Sequence, residues 1–317
     1  IYIGVVGPVR TGKSTFIKRF MELMVLPAIT DEHNRKRALD ELPQSAAGKT
    51  VMTTEPKFIP KEAVEVLFED GVHFKCRMID CVGYMVQGAE GHEEDGRERL
   101  VKTPWFDYDI PFTKAAEIGT KKVIYDHSTV GIVVTCDDTV SELDRSAYIQ
   151  PETQTIQELK SIGKPFIVIL NTRKPSSPET IALADELQQA YGVAVLPVNC
   201  DQLRKADVVH IFEALLLDFP VTCVRFRIPK WVEALELKDE IKDRIVKSAA
   251  EMFASMRLMK DAAEYEFVQD EYLESVRMQE LNLADGSVEI EMVLKPEYYY
   301  TMLSEIFGET IENEYDF

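Results

Sequence analysis

The 317-residue sequence has no long hydrophobic run: no apolar stretch approaches the roughly 20 residues that a membrane-spanning helix requires. It has only five cysteines, no two of which form a CxxC pair, and its five histidines show no metal-ligand spacing. These absences argue against a transmembrane helix, a disulfide scaffold and a zinc site. We therefore predict a soluble, cytoplasmic protein with reduced thiols.

Positive charge is also scarce. The chain has 36 lysines and arginines against 55 aspartates and glutamates, a formal net charge of −19. Such a balance is unsuited to neutralising phosphates along a nucleic acid, so we expect no nucleic-acid partner. The acidic excess continues after Pro220, with 11 basic and 22 acidic residues. It indicates either a solvated acidic surface or an assembly surface that faces basic partners.

Short apolar runs alternate with helix-like segments in the first two thirds of the chain. "IYIGVVG", "TVGIVVTCD", "PFIVILNT" and "VAVLPVNC" are typical of buried strands, and "PETQTIQELKSIG" and "SPETIALADELQQAYG" of helices. "KFIPKEAVEVLFED" and "VHFKCRMIDCVG" indicate two further strands joined by an Asp-Gly turn at Asp70 and Gly71. The alternation predicts an α/β domain over residues 1–220, with a doubly wound, mostly parallel sheet.

The remaining residues, 221–317, have a different pattern. A helical region is predicted from about residue 238 to 265, and "LNLADGSVEIEMVL" has the form of a hairpin whose second strand alternates apolar and acidic residues. We predict a smaller α+β domain here. The sequence begins inside a strand-like run and ends on the acidic "GETIENEYDF", so we expect an ordered part of a longer chain.

The segment "GPVRTGKS" matches the phosphate-loop pattern G-x-x-x-x-G-K-[ST], and it lies between a predicted strand and a predicted helix. Its glycines allow a tight turn whose backbone N–H groups face the phosphates of a nucleotide. Lys13 is expected to reach the β and γ phosphates, and Ser14 to bind Mg²⁺. The predicted nucleotide-binding positions in this segment are Gly7, Arg10, Thr11, Gly12, Lys13, Ser14 and Thr15.

Two further segments complete the predicted phosphate site. In "MIDCVG", Asp80 ends a strand and can hold Mg²⁺ through water, while the amide of Gly83 can turn toward the γ-phosphate. "KTVMTTEPKF" offers threonines that could close on the metal, of which the adjacent Thr53 and Thr54 are the best placed. Which of the two would contact Mg²⁺ stays open, and adjacent threonines can also simply begin a β-strand.

Two positions concern catalysis. Tyr84 follows Gly83, at the place where Ras-type GTPases have the glutamine that orients the attacking water, and a tyrosine cannot replace that role directly. Arg10 could place a guanidinium beside the β and γ phosphates, so one hypothesis is a cation supplied in cis to the transition state. The alternative is that Arg10 is a solvent-facing loop residue.

In "VILNTRKPSS" a strand leads into the loop where a guanine-reading Asn-Lys-x-Asp would be expected, but the sequence has Asn-Thr-Arg-Lys. Lys174 holds the position of the aspartate and has no acceptor for the guanine N–H groups. We predict that nucleotide binding remains while selection for GTP is lost. Asn171 is expected to face the purine, and the aliphatic stem of Arg173 or Lys174 to cover its ring.

The stretches "GPVRTGKST", "TVMTTEPKF", "IDCVGY" and "NTRKP", in this order, resemble the stage IV sporulation protein A family of endospore-forming bacteria. The resemblance covers essentially the whole chain. It implies a P-loop NTPase of the translation-factor-like GTPase class that uses ATP. Hydrolysis in that family drives self-assembly into a static platform beneath the spore coat, in the mother-cell cytoplasm at the forespore surface.

The resemblance also implies partners and residue roles. A further C-terminal portion, which we expect to be missing from this sequence, would dock on a small amphipathic membrane anchor, the stage V sporulation protein M. Other spore coat proteins are further partners that the resemblance implies. Lys13 becomes the nucleotide-binding lysine and Asp80 the Mg²⁺ carboxylate. Thr53 and Thr54 become the threonines that sense the γ-phosphate and support hydrolysis. No role for Arg10 comes from the resemblance.

The predicted function is therefore that of an ATP hydrolase, which converts Mg-ATP and water to ADP and phosphate to drive polymer formation. Residues 84–128 and the acidic second domain are the candidate subunit contacts. Two alternatives stay open: a nucleotide-binding scaffold without hydrolysis, and a GTPase that acts on the ribosome or RNA.

Overall fold

The computed structural model describes residues 1–43, 55–67, 73–89, 93–94, 97–236, 239–268, 271–283 and 285–316. The chain divides into two compact units, Ile1–Leu215 and Leu216–Phe317. In these ranges no helix combines the length and the apolar character needed to cross a membrane.

The first unit is built on a six-stranded sheet in the order β10-β9-β8-β1-β3-β2. All neighbouring pairs are parallel except β2 and β3, which pair antiparallel as the predicted hairpin requires; its turn at Asp70 and Gly71 lies outside the described residues. The strands of this unit are β1 (Tyr2–Val6), β2 (Lys57–Leu67), β3 (His73–Asp80), β4 (Glu93–Glu94), β5 (Arg97–Glu98), β6 (Leu100–Thr103), β7 (Phe106–Pro111), β8 (Val130–Cys136), β9 (Phe166–Asn171) and β10 (Val195–Val198).

Every residue of β8 and β9 is buried, as expected for central strands whose sequences are continuous apolar runs. The prediction of a mixed α/β domain with a mostly parallel sheet is confirmed. That the sheet is doubly wound, with helices on both faces, stays a prediction. Because parallel strands end at a common edge, the residues that follow β1, β3, β8, β9 and β10 are brought together there.

The helices of this part of the chain are α1 (Lys13–Phe20), α2 (Glu32–Asp40), α3 (Phe112–Lys122), α4 (Ser146–Ser161), α5 (Pro178–Tyr191) and α6 (Lys205–Leu217). α5 begins with a Ser177 cap, whose hydroxyl accepts the N–H of Thr180, and ends at Gly192 in the left-handed conformation. α4 begins five residues before the predicted start at Pro151. Pro151 therefore lies inside the helix, where it has no N–H to donate to the preceding turn.

Residues 84–128, the stretch predicted to make subunit contacts, contain regular elements. The strands β6 and β7 form a separate two-stranded antiparallel sheet, and α3 follows directly. Three consecutive residues of β7, Asp107, Tyr108 and Asp109, are exposed. The middle of this strand therefore offers both of its faces to solvent.

The second unit has a three-stranded sheet in the order β11-β13-β12, with β11 parallel and β12 antiparallel to β13. The predicted alternation is observed, since Val288, Ile290, Met292 and Leu294 of β13 are all buried. The predicted helical region appears as two helices separated at Met256. The elements are β11 (Cys223–Arg227), α7 (Lys230–Ala234), α8 (Glu240–Ser255), α9 (Met259–Ala263), β12 (Leu273–Asn282), β13 (Ser287–Leu294) and α10 (Pro296–Phe307).

Candidate nucleotide site

The loop between β1 and α1 turns through three residues with positive φ: Gly7 at 129°, Arg10 at 64° and Gly12 at 98°. Among the described residues, Arg10 is the one residue other than glycine that has a positive φ. A Cβ atom on Gly12 would lie 2.3 Å from the side-chain nitrogen Nδ2 of Asn171. Glycine is therefore required here by close packing as well as by its backbone angle.

Lys13, the first residue of α1, is buried, with 4% of its surface exposed. Its Nζ donates a hydrogen bond of 2.6 Å to the carbonyl oxygen of Pro8, which also accepts from the hydroxyl of Thr11 at 3.0 Å. Burial lowers the pKa of Lys13, and the neighbouring Cys81 and Asp80 oppose this shift. The lysine thus places a positive charge, held by the loop itself, at the carboxyl edge of the sheet.

Asp80 ends β3 beside the loop. Its Oδ2 accepts a hydrogen bond of 2.9 Å from the hydroxyl of Ser14, whereas its Oδ1 is buried and has no hydrogen-bond partner within the described part of the chain. Burial raises the pKa of Asp80, and the bond from Ser14 and the charge of Lys13 oppose the rise. A carboxylate and a hydroxyl are the hard oxygen ligands that Mg²⁺ prefers, and the unpartnered oxygen leaves capacity for such a cation. The residues present therefore fit a magnesium site.

The residues after Asp80 pack onto the loop. The N–H of Val9 donates to the carbonyl of Tyr84 at 2.9 Å, and the Tyr84 side chain is buried. Its hydroxyl donates to the carboxylate of Glu158 on α4, and burial raises the pKa of the phenol. The hydroxyl of Tyr84 is thus engaged by α4.

Asn171 joins two segments of the site. Its Nδ2 donates to the carbonyl of Thr11 at 2.9 Å, and its Oδ1 accepts from the N–H of Cys200 at 3.1 Å. The amide is buried and both of its ends have protein partners. That Asn171 also faces the purine stays a prediction. Arg173 and Lys174, the residues expected to cover the base, are exposed.

The structure brings the two predicted phosphate segments together through the Ser14–Asp80 hydrogen bond. Thr15 lies half-buried on α1, and Arg10 is exposed. The predicted Thr53 and Thr54 lie outside the described residues. Sequence reasoning missed Asp137 and Thr172, whose buried side chains bond to each other. A usable signal was that both follow the ends of apolar runs, at the edge where parallel strands end.

The fold and this site define a mixed α/β domain with a glycine-rich loop at the carboxyl edge of a mostly parallel sheet, followed by an α+β domain. Residues 1–220 match the family described as "Stage IV sporulation protein A, ATPase domain", and residues 221–317 match "Stage IV sporulation protein A, middle domain". The chain belongs to the stage IV sporulation protein A family, as the resemblance predicted.

Three relatives named "Stage IV sporulation protein A" are similar over nearly the whole chain. The protein of Clostridioides difficile (strain 630) is 48% identical over 317 residues, 99% of this chain and 65% of that protein. The Bacillus subtilis (strain 168) protein is 44% identical, with 97% and 63% covered, and that of Bacillus anthracis 42% identical, with 99% and 64% covered. The chain thus spans less than two thirds of the length of these relatives.

Among solved structures, one described as "crystal structure of SsGBP and GDP complex" is similar at 17% identity, covering 68% of this chain and 48% of the other. Its TM-score is 0.34, which is too low to support a conclusion.

Proposed function

We propose that this chain binds Mg-ATP at the loop between β1 and α1 and hydrolyses it to ADP and phosphate. The observation that carries the proposal is the contact geometry of Lys13, Ser14 and Asp80: a buried cation and a partly unpartnered carboxylate flank one glycine-rich loop. The family description of residues 1–220 as an ATPase domain supports it. The strand order, with one antiparallel edge strand, supports placing the domain in the translation-factor-like class of P-loop NTPases, with a doubly wound sheet.

In the proposed reaction, water attacks the γ-phosphate in line with the leaving β-phosphate oxygen. Lys13 and the backbone N–H groups of the loop hold the phosphate charge, and the N-terminus of α1 adds the positive end of its dipole. Ser14, Asp80 and one of Thr53 and Thr54 would hold Mg²⁺. The metal, when bound, neutralises charge on the β and γ phosphates. Arg10 is the candidate for a further cation in the transition state.

We expect ATP to be preferred over GTP because Lys174 stands where a guanine reader needs a carboxylate, and its ammonium offers no acceptor. The measurement is phosphate release by the purified protein with each nucleotide at equal concentration, with Lys13→Ala as the inactive control. A clear GTP preference would contradict the proposal and favour the GTPase alternative. Phosphate release no greater than that of Lys13→Ala would favour a scaffold without hydrolysis.

We further propose that hydrolysis drives self-assembly into the static polymer at the base of the spore coat, in the mother-cell cytoplasm at the forespore surface. The relatives' shared description as sporulation proteins supports this setting. The exposed Asp107, Tyr108 and Asp109 of β7 and the acidic second unit offer surfaces for subunit contacts. The proposed partners are a small amphipathic membrane anchor, which would bind through a further C-terminal portion, and other spore coat proteins.

Nucleotide-dependent sedimentation tests the assembly step. The full-length wild-type protein is expected to enter the pellet with Mg-ATP. Thr53→Ala/Thr54→Ala is expected to remain largely in the supernatant, because it lacks the two hydroxyls that are predicted to sense the γ-phosphate. Lys13→Ala serves as the control in which nucleotide binding is weakened and hydrolysis is lost. If the threonine variant sediments like the wild type, the two threonines do not couple hydrolysis to assembly.

A further inference from the structure

Asp137 directly follows β8 at the carboxyl edge of the sheet, and no step of the proposed reaction uses it. Its side chain is largely buried, with 9% exposed. Its Oδ2 accepts a hydrogen bond of 2.6 Å from the hydroxyl of Thr172. Its Oδ1 accepts from the backbone N–H of Thr139 at 2.9 Å and also from the hydroxyl of Thr139. One carboxylate thus receives the hydroxyl protons of two threonines from different loops.

The hydroxyl of each threonine also accepts a hydrogen bond from the loop after β9. The Thr172 hydroxyl oxygen accepts from the N–H of Lys174 at 3.1 Å, and the Thr139 hydroxyl oxygen accepts from the N–H of Arg173 at 2.9 Å. A hydroxyl has one proton to donate and lone pairs to accept. Because an ionised carboxylate can only accept, Asp137 orients both hydroxyls so that their lone pairs face these two backbone N–H groups.

The segment that holds Asp137 is itself anchored to α4. The N–H of Arg145 donates to the carboxylate of Asp138, and the guanidinium of Arg145 forms an ion pair of 2.6 Å with Glu152, whose side chain is fully buried. Because the carboxylate of Glu152 is buried and paired with Arg145, it holds this segment in one arrangement. The segment from which Asp137 contacts the loop after β9 is therefore held in place by its bonds to α4.

Arg173 and Lys174 are the two residues predicted to cover the purine. Their backbone N–H groups are both bonded to threonine hydroxyls, while their side chains are exposed. The two backbone N–H groups are therefore already hydrogen-bonded. A base that binds at this loop would contact the aliphatic stems of the Arg173 and Lys174 side chains.

We propose that Asp137 is a positioning residue for the nucleotide base: through the hydroxyls of Thr139 and Thr172 it holds Arg173 and Lys174 where their stems pack on the purine ring. This inference rests on the proposed nucleotide site and specifies its base-binding part. It separates the binding of the base, which depends on Asp137, from the binding of the phosphates, which depends on the loop after β1.

The test compares Asp137→Asn and Thr172→Val with Thr172→Ser in the full-length protein. Asparagine keeps the shape of the side chain but gives one acceptor position to an NH₂ group, valine removes the Thr172 hydroxyl, and serine retains it. We expect Asp137→Asn and Thr172→Val to raise KM for ATP about tenfold with kcat changed less than about twofold, because a hydrogen bond to a charged group is lost. Thr172→Ser is expected to behave as the wild type.

Inhibition by inorganic tripolyphosphate, which has phosphates but no base, is the second measurement. We expect all three variants to be inhibited as the wild type is. An unchanged KM in Asp137→Asn and Thr172→Val, or a weakening of tripolyphosphate inhibition equal to the rise in KM, overturns the inference. If Asp137→Asn does not fold, the contrast between Thr172→Val and Thr172→Ser decides. A wild-type protein that neither binds nor hydrolyses ATP overturns the proposed function itself.

Discussion

Lys13→Ala is expected to lower ATP hydrolysis roughly a thousandfold or more, to the level of buffer alone. Lys13 is the buried cation of the loop, with its Nζ 2.6 Å from the carbonyl oxygen of Pro8. In a site with little water, a fixed positive charge stabilises the charge that develops on the phosphates far more than it would in solution. Removing it also weakens binding of the triphosphate, so KM is expected to rise and kcat to fall.

The measurement is phosphate release under saturating Mg-ATP, together with binding of a fluorescent ATP analogue. Lys18→Ala is the matched control, because Lys18 lies on the same helix and is half-buried. The control is expected to retain wild-type turnover. Activity of Lys13→Ala comparable to that of Lys18→Ala would show that the loop is not the catalytic phosphate site.

The same assay decides between the two interpretations of Arg10. Its positive φ of 64° favours asparagine or glycine over most other replacements, so Arg10→Asn removes the guanidinium with little backbone strain. If Arg10 supplies a cation to the transition state, kcat falls about a hundredfold or more. If it is a solvent-facing loop residue, kcat stays close to the wild-type value.

Gly83→Ala is expected to reduce both stability and activity severely. Gly83 has a φ of 95°, and a Cβ atom there would lie 2.1 Å from the carbonyl oxygen of Gly7 and 2.6 Å from the Nζ of Lys13. The backbone oxygen of Gly7 cannot move aside without displacing the loop between β1 and α1. Strain and overpacking together are expected to cost about 2–5 kcal/mol in the free energy of unfolding. The displaced loop is expected to lose most of its ATP hydrolysis.

Gly163→Ala isolates the steric part of this effect. Gly163 also has a positive φ, 65°, but a Cβ atom there would meet nothing within 4 Å. This control is expected to cost only about 1 kcal/mol and to hydrolyse ATP normally. Both variants are compared by the midpoint of thermal unfolding and by phosphate release. Equal midpoints for the two would mean that the segment after Asp80 does not pack on the loop as described.

The local part of the site could be predicted because each motif is short and contiguous. Gly7 to Ser14 has the spacing of a phosphate loop, and Asp80 to Gly83 the spacing of the segment that faces it. The hydrogen bond between Ser14 and Asp80 spans 66 positions in the chain, yet the pairing of β1 with β3 makes it a short-range contact. The catalytic and metal-binding roles of these residues stay predictions.

The boundary of α4 could not be predicted from local pattern. Pro151 indicates a helix start, but the helix begins at Ser146, because burial of Tyr148 stabilises the additional turn. The β6–β7 sheet was missed for a related reason. A strand such as β7, exposed over three consecutive residues, lacks the alternation by which strands are recognised.

The amino-acid sequence by itself determined the family, the two-part organisation, the mostly parallel sheet and the glycine-rich loop after its first strand, because these depend on local spacing and on periods of two and 3.6 residues. Only the tertiary structure decided which polar groups meet: Asn171 with the loop between β1 and α1, Tyr84 with α4, and Asp137 with Thr172. These contacts join residues 35 to 160 positions apart. They arise because the order of parallel strands gathers distant loops at one edge of the sheet, a geometry that no local pattern encodes.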